Sequence, residues 1–149
     1  MRKILLLFLL PVFLFSANMN KHGIVTKMSN NSVDETINKI IMAAKKNGFD
    51  DFSIIDHKKN MKDIGAGDIK EAKLIMFLKP NICSNLLKYD PAVGLDLPLR
   101  VMVYVGEDNN IYIKYRDPRF LKNIYNIGDK REALVMSSKL DTLTNIATE

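Results

Sequence analysis

Two groups of side chains in this 149-residue chain have the types and spacing to do chemistry. The first centres on His57, one of two histidines, with Asp56 beside it and Met61 four residues on. An imidazole next to a carboxylate could shuttle a proton, and an imidazole with a thioether suits copper or a haem iron. A haem or a transition metal is therefore the cofactor class to consider. No C-x-x-C-H motif occurs, so haem could not be covalently attached. One histidine also cannot build a multi-histidine site unless two subunits each supply one. The bland role for His57 is a strand-end residue hydrogen-bonded to backbone. His22 falls near the start of the expected mature chain, and the methionines form no M-x-x-M series.

The second group is acid-rich. Asp90, Asp96 and Asp117, with Arg100 and Arg116, bracket a predicted hairpin. Two neighbouring carboxylates can divide into acid and base when their environments push their pKa values apart, and an arginine could hold an anionic substrate bidentately. Asp before Pro is first a turn or cap residue, which suffices for Asp90 and Asp117. Asp96 lies between Leu95 and Leu97, where its carboxylate could accept backbone N–H bonds, pair with Arg100, or meet a ligand.

Motifs of the common enzymes are missing: no G-x-S-x-G, G-x-x-x-x-G-K-[ST], H-E-x-x-H or G-x-G-x-x-G is present. Cys83 is the single cysteine, so no internal disulfide can form and burial alone must hold the domain together. Its apolar neighbours point to a small buried residue.

At the N-terminus Arg2 and Lys3 precede an uncharged apolar run from Ile4 to Phe15, then Ser16 and Ala17. That is the anatomy of a secretory signal peptide. The run is shorter than the roughly 20 residues a spanning helix needs. The expected leader is 1–17, with an uncleaved anchor as the alternative, and the expected destination is the periplasm. Setting aside the two leader cations lowers the formal charge from +5 to +3, with acids interspersed. A nucleic-acid partner would want a concentrated basic face, so none is expected.

These groups must be positioned by a single domain over 18–149. Gly23 to Met28 reads as a strand. Ser32-Val33-Asp34-Glu35 fits a capping box, and the spacing of Val33, Ile37, Ile40, Ile41 and Ala44 predicts a helix ending at Asn47-Gly48. Phe52 to His57 reads as a strand leading into a mobile segment, and Ala72 to Leu78 as a central strand covered on both faces. Asn81 to Tyr89 suits a short helix. Leu99–Val105 and Ile111–Tyr115 alternate as a hairpin around Gly106–Asn110. Asp117-Pro118 should start a helix that Gly128 breaks, and 129–147 should form a last helix packed on its own sheet or on a second subunit.

Several blocks carry a family resemblance. They are Gly23-Ile24-Val25-Thr26, the Ser32–Thr36 helix start, Gly48-Phe49 with Ile55-Asp56-His57, Asp90-Pro91, Gly94-Leu95-Asp96-Leu97-Pro98-Leu99-Arg100, and Tyr115 with Asp117-Pro118. Together they resemble the bacterial domain of unknown function 302 family over about residues 23–127. The chain departs from it at Lys79-Pro80 and Asn81–Leu87, so a pocket lined by that loop would differ here. The resemblance implies a small α+β domain and a homodimer, with no agreed substrate or cofactor.

The expectation is thus an exported α+β domain with an antiparallel or mixed sheet and helices mainly on one face. It would bind a small ligand, haem or metal without catalysis, His57 serving as polar anchor and metal ligand, Asp96 and Arg100 as ligand contacts. One alternative is a small hydrolase or isomerase using Asp96, Arg100 and His57. Another is a dimeric interaction module docking through its last helix or a strand edge. Membrane contact is expected only through the signal sequence.

Overall fold

The computed structural model describes residues 18–49 and 51–149, and the expected signal peptide at 1–17 lies outside them. In chain order the elements are β1 (Asn18–Met19), β2 (Ile24–Ser29), α1 (Val33–Lys46), β3 (Asp51–Asp56), α2 (His57–Asp63) and β4 (Ala72–Leu78). Then come α3 (Pro80–Tyr89), a 3-10 turn at Pro91–Asp96, β5 (Leu99–Val105), β6 (Ile111–Arg116), a second 3-10 turn at Pro118–Asn123 and α4 (Arg131–Ile146). All strand pairs are antiparallel, in the order β1-β2-β6-β5-β4-β3. The β5–β6 hairpin therefore occupies the middle of the sheet.

Alternation along these strands divides the sheet into two unlike faces, because successive side chains point to opposite sides. Val25, Ile75, Phe77, Leu99, Val101, Val103, Ile113 and Tyr115 are buried in one core with residues of α1, α3 and α4. Each such side chain, fully buried, contributes about 1.5–3 kcal/mol. The other phase, with Ile24, Leu74, Met76, Met102, Lys114 and Arg116, is only half-buried. Helices mainly on one face follow directly.

Local chemistry sets the helix ends. Ser32 Oγ accepts from the Glu35 N–H at 3.2 Å, satisfying one free donor of the first α1 turn. Asp56 Oδ1 accepts from the Lys59 N–H at 2.9 Å and starts α2, which a Lys59–Asp63 pair at 2.5 Å supports one turn on. The segment expected to be mobile is thus a short helix, and His57 opens it rather than ending a strand. Pro80 opens α3 at its first turn, where a missing N–H costs nothing.

Two other expectations need correction. β4 is not a central strand covered on both faces: it lies next to the edge strand, with Ile75 and Phe77 buried and Leu74 and Met76 half-exposed. Its unbroken apolar run covers the sheet's half-open side. The helix expected from Asp117 to Gly128 is one 3-10 turn ending at Asn123, capped by Asp117 Oδ1 accepting from the Arg119 N–H at 2.8 Å. The last helix runs Arg131–Ile146, within two residues of the expected 129–147 at each end, and Asp129 before it pairs with Lys122 at 2.5 Å. Its apolar face (Ala133, Met136, Leu140, Leu143) is buried within its own domain, which leaves that stripe unavailable to a partner.

One glycine is fixed by geometry. Gly23 has φ +75°, and a Cβ there would lie 2.2 Å from the Phe120 ring. The Gly23 carbonyl accepts from the Asp117 N–H at 2.8 Å, so β2 and the turn after β6 meet across a contact that only glycine permits.

Candidate functional site

The half-open sheet face ends in a groove of about 520 Å³, where the 91–96 turn and the 118–123 turn overhang β5 and β6. That volume lies within the range of about 300–1,000 Å³ typical of small-ligand clefts. Its floor is apolar, from Ile24, Leu74 and Met102, and its rim holds Arg100, Lys114 and Arg116. The β5–β6 register sets Met102 opposite Lys114, and Arg100 and Arg116 lie two residues further toward the same end of the sheet.

Among the described residues Asp96 is the one carboxylate lining the groove, and it is already engaged. Its Oδ2 accepts from the Tyr125 hydroxyl at 2.6 Å, and its Oδ1 lies 3.4 Å from Arg116 Nε. The Arg116 guanidinium also donates to the His22 carbonyl at 2.9 Å and stands 5.9 Å from the Phe120 ring centroid. The expected Asp96–Arg100 pair does not form: Arg100 donates to the Leu95 carbonyl instead. Among the described residues neither Arg100 nor Lys114 makes a salt bridge. The Lys114 ammonium sits 5.4 Å from the Tyr104 ring centroid, with Tyr104 stacked on Tyr112. Two cations are therefore uncommitted to any carboxylate, above an apolar floor. The hydrogen bond from Tyr125 to the Asp96 carboxylate holds the phenol's pKa above its ordinary value.

Asp90 and Asp117 have the structural roles expected of Asp before Pro. Asp90 accepts from the Ala92 N–H at 2.9 Å with one oxygen and the Asn126 N–H at 2.9 Å with the other. Asp117, almost fully buried, is gripped by Arg119 at 2.6 Å. Burial pushes the Asp117 carboxyl up, but hydrogen bonds from the Arg119 side chain and backbone outweigh it, leaving the pKa below the ordinary carboxylate value.

His57 stands elsewhere. Asp56, just before it, lies two strands across and three residues along from Arg100. At about 4.8 Å per strand and 3.3 Å per residue, the backbones are about 14 Å apart. The fold thus brings Asp96 and Arg100 to one groove and does not bring His57 to it. Among the described residues no cluster of three His, Cys, Asp or Glu side chains is placed to hold a metal. Cys83 is buried, and burial pushes its thiol pKa up.

The structural relatives follow the same plan. A family model described as domain of unknown function DUF302 matches residues 25–145. The chain belongs to the DUF302 family. The match runs through α4, beyond the 23–127 region whose blocks carried the resemblance. The crystal structure of an uncharacterized conserved DUF302 protein from Bacillus stearothermophilus is similar with a TM-score of 0.74, 18% identity, 84% of this chain covered and 98% of that chain. At that identity the likeness concerns the α+β fold alone. Two relatives named fluoride-specific ion channel FluC 1 are each 30% identical over 112 residues, or 75% of this chain. In Brucella suis biovar 1 (strain 1330) the match spans 44% of the relative, and in Brucella abortus biovar 1 (strain 9-941) 41%. This DUF302 chain thus spans less than half the length of the curated relatives it matches.

Lys114 and Tyr125 were missed as site residues by sequence reasoning. Lys114 was readable in principle: hairpin alternation puts it in phase with Arg116, and the loop length sets it opposite Met102. Tyr125 gave no local signal, because it reaches Asp96 from 29 residues away through the second 3-10 turn.

Proposed function

We propose that this DUF302 domain is a non-catalytic binding module that takes a small anionic ligand in the groove on its half-open sheet face. The observation that carries the reading is the pair Arg100 and Lys114, cations with no carboxylate partner among the described residues, over an apolar floor. An anion there would form charge-assisted hydrogen bonds worth about 1.5–3 kcal/mol each. Asp96 serves as a buttress, holding Arg116 and Tyr125 at the rim. A hydrolase or isomerase built on Asp96, Arg100 and His57 is disfavoured, since the histidine is too remote to share a reacting centre with the other two. A haem or metal at His57 would need further donors from a second copy of the chain.

Isothermal titration of the full chain with phosphate and simple carboxylates tests this. Saturable binding that falls about tenfold or more in Arg100→Gln and in Lys114→Gln supports the module. Binding unchanged in both variants, or no binding of any anion, overturns it.

A second reading comes from the relatives. Because the matched segment is under half of proteins named fluoride-specific ion channels, the domain would act as an accessory to anion transport. Fluoride included in the same titration series distinguishes the two: a response to fluoride and not to the larger anions favours this reading. In either case the protein is exported by its leader and works outside the cytoplasm as a homodimer. Cell fractionation with N-terminal sequencing and sedimentation of the purified chain test those points.

A further inference from the structure

The shape of the apolar floor narrows the ligand further than charge does. One cross-strand row of the half-open face runs Lys114, Met102, Leu74, Ile55 through β6, β5, β4 and β3. Three strand spacings of about 4.8 Å make that row about 14 Å long from its cation to the sheet edge. Met76 flanks it on β4, Ile55 and Met76 continue the row beyond the groove's own lining, and all five of these side chains are only half-buried. Methionines at two of the positions give a floor that can repack around a flexible chain. The row is therefore a cationic end joined to an apolar track that leads across the sheet.

Resting on the anion-binding reading, we infer that the ligand is a free single-chain amphiphile. Its carboxylate or phosphate head sits between Arg100 and Lys114, and its alkyl chain lies along Met102, Leu74 and Ile55. An extended chain built of bonds of about 1.5 Å advances about 1.25 Å per carbon, so about eleven carbons fill the track. A compact polar anion would leave the floor exposed, and an uncharged alkane would leave both cations unused. The Asp96 charge is offset by Arg116, 3.4 Å from its Oδ1, which lessens repulsion of the head. No covalent step is involved; the ligand is held and released unchanged.

Calorimetric titration of the full chain with monomeric decanoate, butyrate and decanol tests the class, with phosphatidylglycerol vesicles as a fourth arm. The expected result is decanoate binding at least tenfold tighter than either butyrate or decanol. Lys114→Gln should weaken decanoate at least fivefold and leave decanol unchanged. Leu74→Gln should weaken decanoate at least fivefold and leave butyrate unchanged. Should that variant misfold by circular dichroism, the chain-length comparison on the native protein still decides. Equal affinity for butyrate and decanoate overturns the amphiphile while leaving the anion groove standing. Binding of neither carboxylate overturns the amphiphile, and the anion groove falls with it when phosphate also fails to bind. Adsorption to vesicles without uptake of monomeric decanoate overturns the free ligand in favour of membrane docking.

Discussion

The Tyr125 hydroxyl donates to the Asp96 carboxylate at 2.6 Å, closing a contact between the turn before β5 and the segment after the second 3-10 turn. Through it a carboxylate that lines the groove is bound to its own scaffold. The same carboxylate accepts the Arg116 guanidinium. Asp96 thus orders the rim on two sides.

This contact has a spectroscopic signature. The Asp96 charge and hydrogen bond raise the Tyr125 pKa, because both favour the protonated phenol. In Asp96→Asn one tyrosine should titrate at lower pH than in the native protein, followed by tyrosinate absorbance. Tyr125→Phe should remove that same transition. Identical titration curves for the native and Asp96→Asn proteins would show that the two groups do not meet in solution.

Gly23→Ala should be severely destabilising. The substitution forces an L side chain to φ +75° and sets a methyl 2.2 Å from the Phe120 ring. Strain and overpacking together should cost about 2–4 kcal/mol in urea unfolding. Paired replacement with Phe120→Ala should recover the packing part and not the backbone part. A Gly23→Ala loss below about 1 kcal/mol would contradict the close approach of β2 to the second 3-10 turn.

Asp117 links stability to pH. Its folded pKa is depressed, so its stabilisation is present above the ordinary carboxylate range and is lost as pH falls through the folded value. Asp117→Asn should lower stability at neutral pH by about 1–3 kcal/mol, since a buried partner of Arg119 and of the 3-10 turn is weakened. The gap between variant and native should narrow steadily below about pH 4. A gap that widens on acidification would reverse the sign and refute this assignment.

Lys27 offers a contrasting case. Its ammonium is turned into the helical face, 2.7 Å from Asp141 Oδ1 and from Thr144 Oγ1, with a side chain only 8% exposed. Burial lowers its pKa despite the hydrogen bond and charge of Asp141. A lysine whose folded pKa is depressed makes the protein gain stability as pH rises through that value. Removing the lysine alone leaves Asp141, but that carboxylate is half-exposed and water can solvate it in place of the ammonium. Lys27→Met should therefore change stability at neutral pH by no more than about 1 kcal/mol and abolish the alkaline gain, as read from urea midpoints across pH. A loss above about 3 kcal/mol would show that the lysine stabilises the fold outright.

The hairpin, α1 and the two Asp-Pro turns were legible because each is specified locally, by alternation, a capping serine or a fixed proline φ. The placement of β4 was not. A continuous apolar run reads the same whether both faces are sealed or one floors a groove. The setting of His57 was hidden for a different reason: Asp56 caps a short helix, which takes His57 out of the strand. Asp96 and Arg100 do line one groove, but their partners were not legible. Which arginine meets Asp96 depends on how the 91–96 turn folds over β6, a contact between segments 20 residues apart.

Backbone amide shifts of the labelled full chain during titration with decanoate measure directly where an anion sits. The largest shifts are expected at Arg100, Met102 and Lys114, with β3 near Ile55 following and His57 silent. Shifts that instead gather around His57 and Met61, leaving the β5–β6 face unmoved, would contradict that placement.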